Sequence, residues 1–511
     1  MSEPVVGDFD RTIERSTLQA LAAKGASVLN ALGCGEDVPV ALIMRNDLTQ
    51  LEIMRAAAQA GTILVALNWH GAAEEIEAIC SDSGAETVII HRDLIANAAP
   101  ALKGRQVIAV TPETRLCESY GISETAAQDG TSYPEWSALV DASQPSADKA
   151  LMRPLMRYTS GSTGRPKGIR RQATGPRRDF SASLERIGSE MMRFQPGSRF
   201  FTAAPIYHSA PSTLTSAALI SVGVSTFIAP KFEPHSFLAT IEAQGITHIY
   251  LVPTMMSRLL KLPKADRERY DLSSVEFCIS TGSPWPQDLK QAMIDWWGPV
   301  FWETYGASEI GFMTMASSTD AMERPGTAGR MQMGGTLLIL DADGVEVPPG
   351  EVGEIYARMD VFGDFDYSND PEGRKSAEKH GHISVGDLGW VDEDGYLFIT
   401  DRKKDMIISG GANVFPAEIE AILMRAPFIR DAAVFGAPDP EFGERIVAAI
   451  EPSPDWKPDA QEVLQFLDGK IARFKHPRVI DFHDALPRED SGKIFKARLR
   501  APYWQDSGRK V

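Results

Sequence analysis

Cysteine is scarce in this chain. Its 511 residues include four, Cys34, Cys80, Cys117 and Cys278, widely spaced. No CxxC pair or Cys/His cluster occurs, which argues against structural zinc and against a disulfide framework. Positive charge is also in deficit: Lys and Arg number 52 against 69 Asp and Glu, for a net charge of -17. Phosphate backbones need basic surface, so a general nucleic-acid binder is disfavoured. A single nucleotide, held by a few local donors, is not. No long apolar run reads as a membrane span. Residues 200–230 carry no formal charge apart from a possible one on His208, but Pro205, Pro211, Gly223 and many Ser and Thr interrupt them. That pattern reads as buried α/β core. The opening MSEPVVGDFDRTIERS is acidic and lacks a signal-peptide core. Internal repeats and low-complexity segments are missing. A reducing cytoplasm fits these absences.

What is present is ordinary for a globular protein, 43% hydrophobic and 24% charged. The length suggests several domains, or one large domain with a smaller partner. Residues 38–92 alternate between short apolar runs and helical spacing: strand 38–44, helix 47–60, strand 61–67, helix 72–83 and strand 86–90. Such alternation predicts a parallel sheet covered by helices, an α/β fold. Residues 110–150 are rich in turn formers and read as a connecting excursion. A helix is expected over 179–194, and a loop over 373–382. Beyond residue 405, helices are expected over 416–425 and 459–471, with strands at 431–435, 446–450 and 478–482. This makes a small α+β domain with its own core.

The stretch Tyr158-Thr159-Ser160-Gly161-Ser162-Thr163-Gly164-Arg165-Pro166-Lys167-Gly168 is the most specific. It concentrates four hydroxyls beyond the Tyr, three glycines and two cations. Glycines let an anion approach backbone amides, and Lys167 supplies a point charge suited to phosphate. Arg165-Pro166 separates Gly164, the last glycine before the lysine, from Lys167, so this is not a Walker A loop. Further along, Tyr207-His208 ends a strand, where α/β sheets bind ligands. Thr281-Gly282-Ser283-Pro284 follows another strand, with Ser283 alternatively a helix cap. Tyr305-Gly306-Ala307-Ser308-Glu309 offers a ring able to stack on a purine, a hydroxyl, and a hard carboxylate suited to Mg²⁺. Asp387 precedes a hairpin through residues 393–396 and could accept ribose hydroxyls. Asp401-Arg402-Lys403-Lys404-Asp405 is a charged run between apolar strands. Lys493 follows Pro487-Arg488 and Gly492 near the end.

In this order the motifs resemble those of the adenylate-forming superfamily, which includes acyl-CoA synthetases, peptide-synthetase adenylation domains and luciferases. The resemblance spans nearly the whole chain. Two positions depart from its pattern: Ser308 stands for the usual Thr, and Asp401 for the usual Gly. It implies a large N-terminal domain of sheets flanked by helices (1–400), a hinge linker (401–405) and a mobile C-terminal lid (406–511). It implies ATP held by Thr159, Ser160, Gly161, Ser162, Thr163, Gly164, Lys167, Gly282, Ser283, Tyr305, Ser308, Asp387 and Arg402. Mg²⁺ would sit on Glu309 and Thr159. Tyr207, His208, Gly306 and Ala307 would face the acyl group. Lys493, His208 and Glu309 would serve catalysis, and Lys404 would be the pivot. The implied reaction joins a carboxylic acid to coenzyme A, with an amine or a carrier protein as alternative acceptors. The stretch 209–219, small and apolar, favours a neutral hydrophobic acid. Arg170, Arg171, Arg177 and Arg178 are candidates for the coenzyme A 3′-phosphate. A homodimer is compatible with the sequence.

Overall fold

Asp47 and Gly61 mark the ends of one early helix, and both act as their chemistry predicts. The Asp47 carboxylate accepts from the Gln50 N–H at 2.7 Å and caps helix Leu48–Ala60. Gly61, at φ 75°, ends it. The computed structural model describes residues 3–8, 11–130, 132–146, 152–159, 167–172, 179–283, 285–410, 412–454, 456–488 and 494–505. Strands Pro39–Ile43, Ile63–Ala66, Thr87–His91 and Gln106–Val110 form a parallel four-stranded sheet, with helices Leu48–Ala60 and Ala73–Ser83 as crossovers. Every residue of Thr87–His91 is buried, as a parallel sheet covered on both faces requires.

A larger, fourteen-stranded sheet has a parallel middle, bordered by the antiparallel edge strand Thr12–Glu14 on one side and a longer antiparallel half on the other. Strands Ser225–Ile228, Arg199–Thr202, His248–Leu251, Phe277–Ser280 and Phe301–Ala307 run in parallel. Gly311–Ser317 folds back on Phe301–Ala307. The sheet then continues antiparallel through Thr327–Met331, Leu397–Arg402, His382–Val391 and Gly353–Arg358. The parallel half gathers its strand-end turns at one edge. The antiparallel half brings residues far along the chain beside them. A third sheet of three antiparallel strands, Phe365–Tyr367, Lys167–Arg171 and Arg157–Thr159, sits at the exit of the glycine-rich loop.

The C-terminal sheet contains strands Ile407–Ser409, Ala412–Val414, Ile429–Asp439, Gly443–Pro452 and Val479–Phe482. It has a core of its own, in which Ile419, Leu423, Val434, Ile450 and Leu467 pack together. The architecture is therefore mixed α/β, a large sheet-rich N-terminal domain and a smaller C-terminal one. The last strand of the large sheet ends at Arg402, and the first of the small sheet begins at Ile407.

Several expectations need correction. Residues 110–150 are not merely a connection: they hold helices Thr114–Tyr120, Glu124–Ala127 and Trp136–Ala142. The Trp136 ring is buried, and its indole N–H donates to Glu52 at 2.8 Å. One aromatic anchor thus draws a polar-looking stretch into the core. Residues 373–382 are not a loop either, since helix Pro371–Ser376 and strand Glu378–Lys379 occupy much of them. Asp370 caps that helix through the Gly373 N–H at 2.8 Å. The helix expected over 179–194 is present but shorter. Ser181–Arg186 is α-helical, and a π-helical turn over Ile187–Met191 closes it.

Candidate functional site

Strand pairing places Asp387 directly opposite Arg402, and the two side chains meet with Nε to Oδ1 at 3.2 Å. The other carboxylate oxygen of Asp387 accepts from the Tyr305 hydroxyl at 2.6 Å. Asp387 is only 6% exposed, so these two partners stabilise a charge that burial would otherwise disfavour. Burial first, then the Asp387 charge, raises the Tyr305 phenol well above its ordinary pKa, so it stays a donor. Three residues spread over nearly a hundred positions thus converge at one edge of the large sheet.

Next to Tyr305 the backbone bulges, and Gly306 follows. A Cβ on Gly306 would lie 2.1 Å from the Gly311 carbonyl, so only glycine fits this hairpin. The hairpin turn carries Ser308 and Glu309. The Ser308 hydroxyl donates to Ser209 Oγ at 3.3 Å. One oxygen of Glu309 accepts from the Tyr367 hydroxyl at 3.1 Å. Burial raises the Glu309 pKa; its hydrogen bonds and the positive charges of Arg171 and Arg402 act against that rise. A partly buried, hard carboxylate suits Mg²⁺, which takes one or two protein carboxylates and keeps water and phosphate oxygens. Among the described residues no cluster of three or more His, Cys, Asp or Glu could cage a metal. A Mg²⁺ ion here would rely on Glu309 and on oxygens of a bound nucleotide.

Tyr207 and His208 pack ring against ring at 4.3 Å between centroids, and His208 is the N-cap residue of helix Ser209–Ile220. Their turn is held from the four-stranded sheet. Asn46 donates to the carbonyls of Ala204 (2.9 Å) and Ala229 (3.1 Å) and accepts from the Ile206 N–H at 2.9 Å. The helix is less apolar than expected: Ser212, Thr213, Thr215 and Ser216 are all buried. Arg157 donates to Ser212 (2.7 Å) and Thr213 (3.0 Å). Gly282 has φ 95°, a conformation that favours glycine. Ser283 does not cap the following helix, which begins at Gln287 after Pro286.

Lys167 lies at the start of its strand, 2.7 Å from Asp370 and 4.9 Å from the centre of the Tyr367 ring. To serve a phosphate it would have to exchange that partner. Arg171 is not open to a coenzyme A phosphate, because four backbone carbonyls occupy its guanidinium. Arg170 is exposed. Lys404 is exposed beside Asp405, which pairs with Arg500 at 3.0 Å. Thr159 ends its strand as the loop begins. Ser160, Gly161, Ser162, Thr163, Gly164, Arg177, Arg178, Gly411 and Lys493 lie outside the described residues. Sequence reasoning missed Asn46, Arg157 and Tyr367 altogether. Only the position of Asn46, just past a strand's carboxyl end, could have signalled any of them.

A carboxylate–tyrosine–arginine cluster at one edge of the large sheet, in a chain with a smaller α+β C-terminal domain, fits an adenylate-forming enzyme. The chain belongs to the AMP-binding enzyme family: that family's description matches residues 3–361, and the AMP-binding enzyme C-terminal domain matches residues 418–493. It is 31% identical over 489 residues to the long-chain-fatty-acid–CoA ligase FadD13 of Mycobacterium tuberculosis (strain ATCC 25618 / H37Rv), covering 95% of this chain and 92% of that protein. It is 30% identical over 522 residues to the fatty acid–[acyl-carrier-protein] ligase ScoC of Streptomyces coeruleorubidus, covering 99% and 95%. Its fold matches ATP-bound MatB from Rhodopseudomonas palustris with a TM-score of 0.83 at 28% identity, over 99% of this chain and 97% of that one.

Proposed function

We propose that the protein activates a hydrophobic carboxylic acid with ATP as an acyl adenylate and transfers the acyl group to coenzyme A, in the cytoplasm. The observation that carries this reading is the convergence of Tyr305, Asp387 and Arg402 beside Glu309. It supplies a ring for a purine, a carboxylate for ribose hydroxyls, a cation for phosphate and a ligand for Mg²⁺. A carboxylate is a poor electrophile because oxide does not leave. Its oxygen attacks the α-phosphorus of ATP, pyrophosphate departs, and the resulting acyl group has AMP as a good leaving group. Two anions must meet in this step, so donors aimed at the transition state dominate catalysis. The amides and hydroxyls of residues 159–168 hold the β- and γ-phosphates, and Lys493 reaches the developing charge between carboxylate and α-phosphate. Tyr207 and His208 orient the acid. Mg²⁺, when bound at Glu309, neutralises phosphate charge.

For the second step the segment 406–511 turns about Lys404, withdrawing Lys493. The coenzyme A sulfur then attacks the acyl carbonyl, AMP leaves, and the thiol proton passes to solvent. The name of FadD13 supports coenzyme A and a fatty acid; that of ScoC supports a carrier protein as the acceptor to be tested beside it. The decisive experiment is a panel of acids scored for pyrophosphate release, then supplied with coenzyme A, a carrier protein or simple amines at equal concentration. Acid-dependent release followed by fastest capture on coenzyme A is expected. No acid-dependent release would overturn the adenylation reading. Faster capture by an amine or carrier protein would overturn only the acceptor.

A further inference from the structure

Arg171 spends its donors unusually. Its Nη2 donates to the carbonyls of Ser308 (2.7 Å) and Glu309 (3.0 Å), and its Nη1 to those of Phe362 and Gly363 (both 3.2 Å). Among the described residues it forms no ion pair to a carboxylate. Burial pushes its pKa down to about 10, so it remains a cation at neutral pH. A guanidinium whose hydrogen bonds go to carbonyls of two turns is a geometric device, since its planar fork fixes those turns relative to each other. One of those turns carries Glu309.

Tyr367 acts on the same residue from the neighbouring strand, with its hydroxyl on Glu309 Oε1 at 3.1 Å. Strands Lys167–Arg171 and Phe365–Tyr367 are antiparallel, with Tyr367 opposite Ile169 and Phe365 opposite Arg171. Residues two apart on a strand, and their cross-strand partners, share a face. Lys167, Ile169, Arg171 and Tyr367 therefore present to one side, and the Lys167 ammonium indeed lies over the Tyr367 ring. That face belongs to the strand by which the chain leaves the glycine-rich loop.

We propose that Arg171 and Tyr367 are positioning residues that hold Glu309 as a metal ligand, Arg171 through the backbone and Tyr367 through the carboxylate. The metal site is thereby fixed to the strand leaving the phosphate loop, so that metal and phosphates keep one geometry. This rests on the reading of Glu309 as the Mg²⁺ ligand. Arg171 grips the peptide groups from which Glu309 projects. Tyr367 donates to one carboxylate oxygen, Oε1, and so fixes the direction in which the carboxylate would meet a metal. Orienting partners of this kind typically change metal affinity by roughly 10–100-fold when removed.

The test measures Mn²⁺ binding by electron paramagnetic resonance in the full-length protein with a non-hydrolysable ATP analogue. Wild type, Arg171→Ala, Arg171→Lys and Tyr367→Phe are compared, with circular dichroism as the control for folding. Arg171→Ala should weaken Mn²⁺ binding by roughly 10–100-fold, and Tyr367→Phe by roughly tenfold. Arg171→Lys should not restore affinity, because an ammonium keeps the charge without the fork. Unchanged Mn²⁺ affinity in the folded variants, or full recovery in Arg171→Lys, would overturn the proposal. Should Arg171→Ala not fold, Tyr367→Phe decides alone, and unchanged affinity there counts against it. A wild-type protein that binds the analogue but no Mn²⁺ would remove both the proposal and the reading of Glu309.

Discussion

Asp401 forms a bond across the proposed pivot, and removing it should unbalance the two half-reactions. The residue is the last but one of strand Leu397–Arg402 in the large sheet, yet its Oδ2 accepts from the N–H of Ala417 at 2.9 Å, in the first turn of helix Pro416–Leu423. The helix's own N-cap residue, Phe415, supplies no side-chain cap. Asp401 therefore caps a helix of the C-terminal domain from the N-terminal side. A turn about Lys404 would part them, because residues 401 and 417 lie on opposite sides of it. Capping interactions of this kind contribute about 1 kcal/mol, within a range of about 0.5–2. Burial of Asp401 offsets part of this, since it raises the carboxyl pKa against the pull of Lys496 and of the backbone donors. Asp401→Ala should thus shift the equilibrium away from this arrangement by about 1 kcal/mol, roughly a factor of 5. The assay compares acid-dependent pyrophosphate release with product formation from a supplied acyl adenylate. The half-reaction that uses this arrangement should slow relative to the other by about fivefold, and Asp401→Asn, which keeps an acceptor, should fall between. An unchanged ratio in Asp401→Ala would refute the reasoning.

Lys493→Ala should lower adenylate formation by roughly 10²–10³ while sparing product formation from a supplied adenylate; equal loss in both assays would show a shared or structural role. Lys404→Pro should do the reverse, because proline fixes φ near -65° and jams a pivot whose backbone must turn; normal overall turnover would remove the hinge. Tyr305→Phe should cost about 1.5–3 kcal/mol of stability, the worth of a hydrogen bond to a charged group, less what Arg402 recovers for Asp387; an unchanged denaturation midpoint would contradict this. His248, buried between Phe194 and Phe277, has its pKa lowered to about 4 by burial. Its unfolded form takes up a proton near pH 6.5 while the folded form resists, so this stability is complete above pH 6.5. It should fall as pH drops towards 4, by at most about 1.4 kcal/mol per unit. His248→Phe should flatten that part of the urea-unfolding profile, and identical profiles would disprove it.

Much of the N-terminal fold was legible because its signals are local. The apolar runs and helical spacing of residues 38–92 act within a few residues of themselves, and the strands and helices they predict appear in that order. The same holds for the hairpin through residues 393–396 and for the three strands expected at 431–435, 446–450 and 478–482. Local reasoning failed where one distant contact outweighed composition, as with Trp136 on Glu52. It failed again at helix Pro371–Ser376, whose cap Asp370 also pairs with Lys167.

The sequence by itself determined which chemical groups are available: the glycine-rich loop, the Tyr305–Glu309 motif, Asp387, Arg402 and Lys493, in an order that marks the family. Motif order survives in one dimension because each motif is a short turn at a strand end. Only the tertiary structure decided what those groups face. Asp387 meets Tyr305 and Arg402 because antiparallel register sets residue 387 opposite 402 and lays both beside the hairpin of Tyr305. Arg171 looked like a surface charge free for a phosphate, yet packing turned it onto four carbonyls around Glu309. A guanidinium's partners are chosen by which backbone groups burial leaves without water, and that is settled by three-dimensional packing, not by neighbours along the chain.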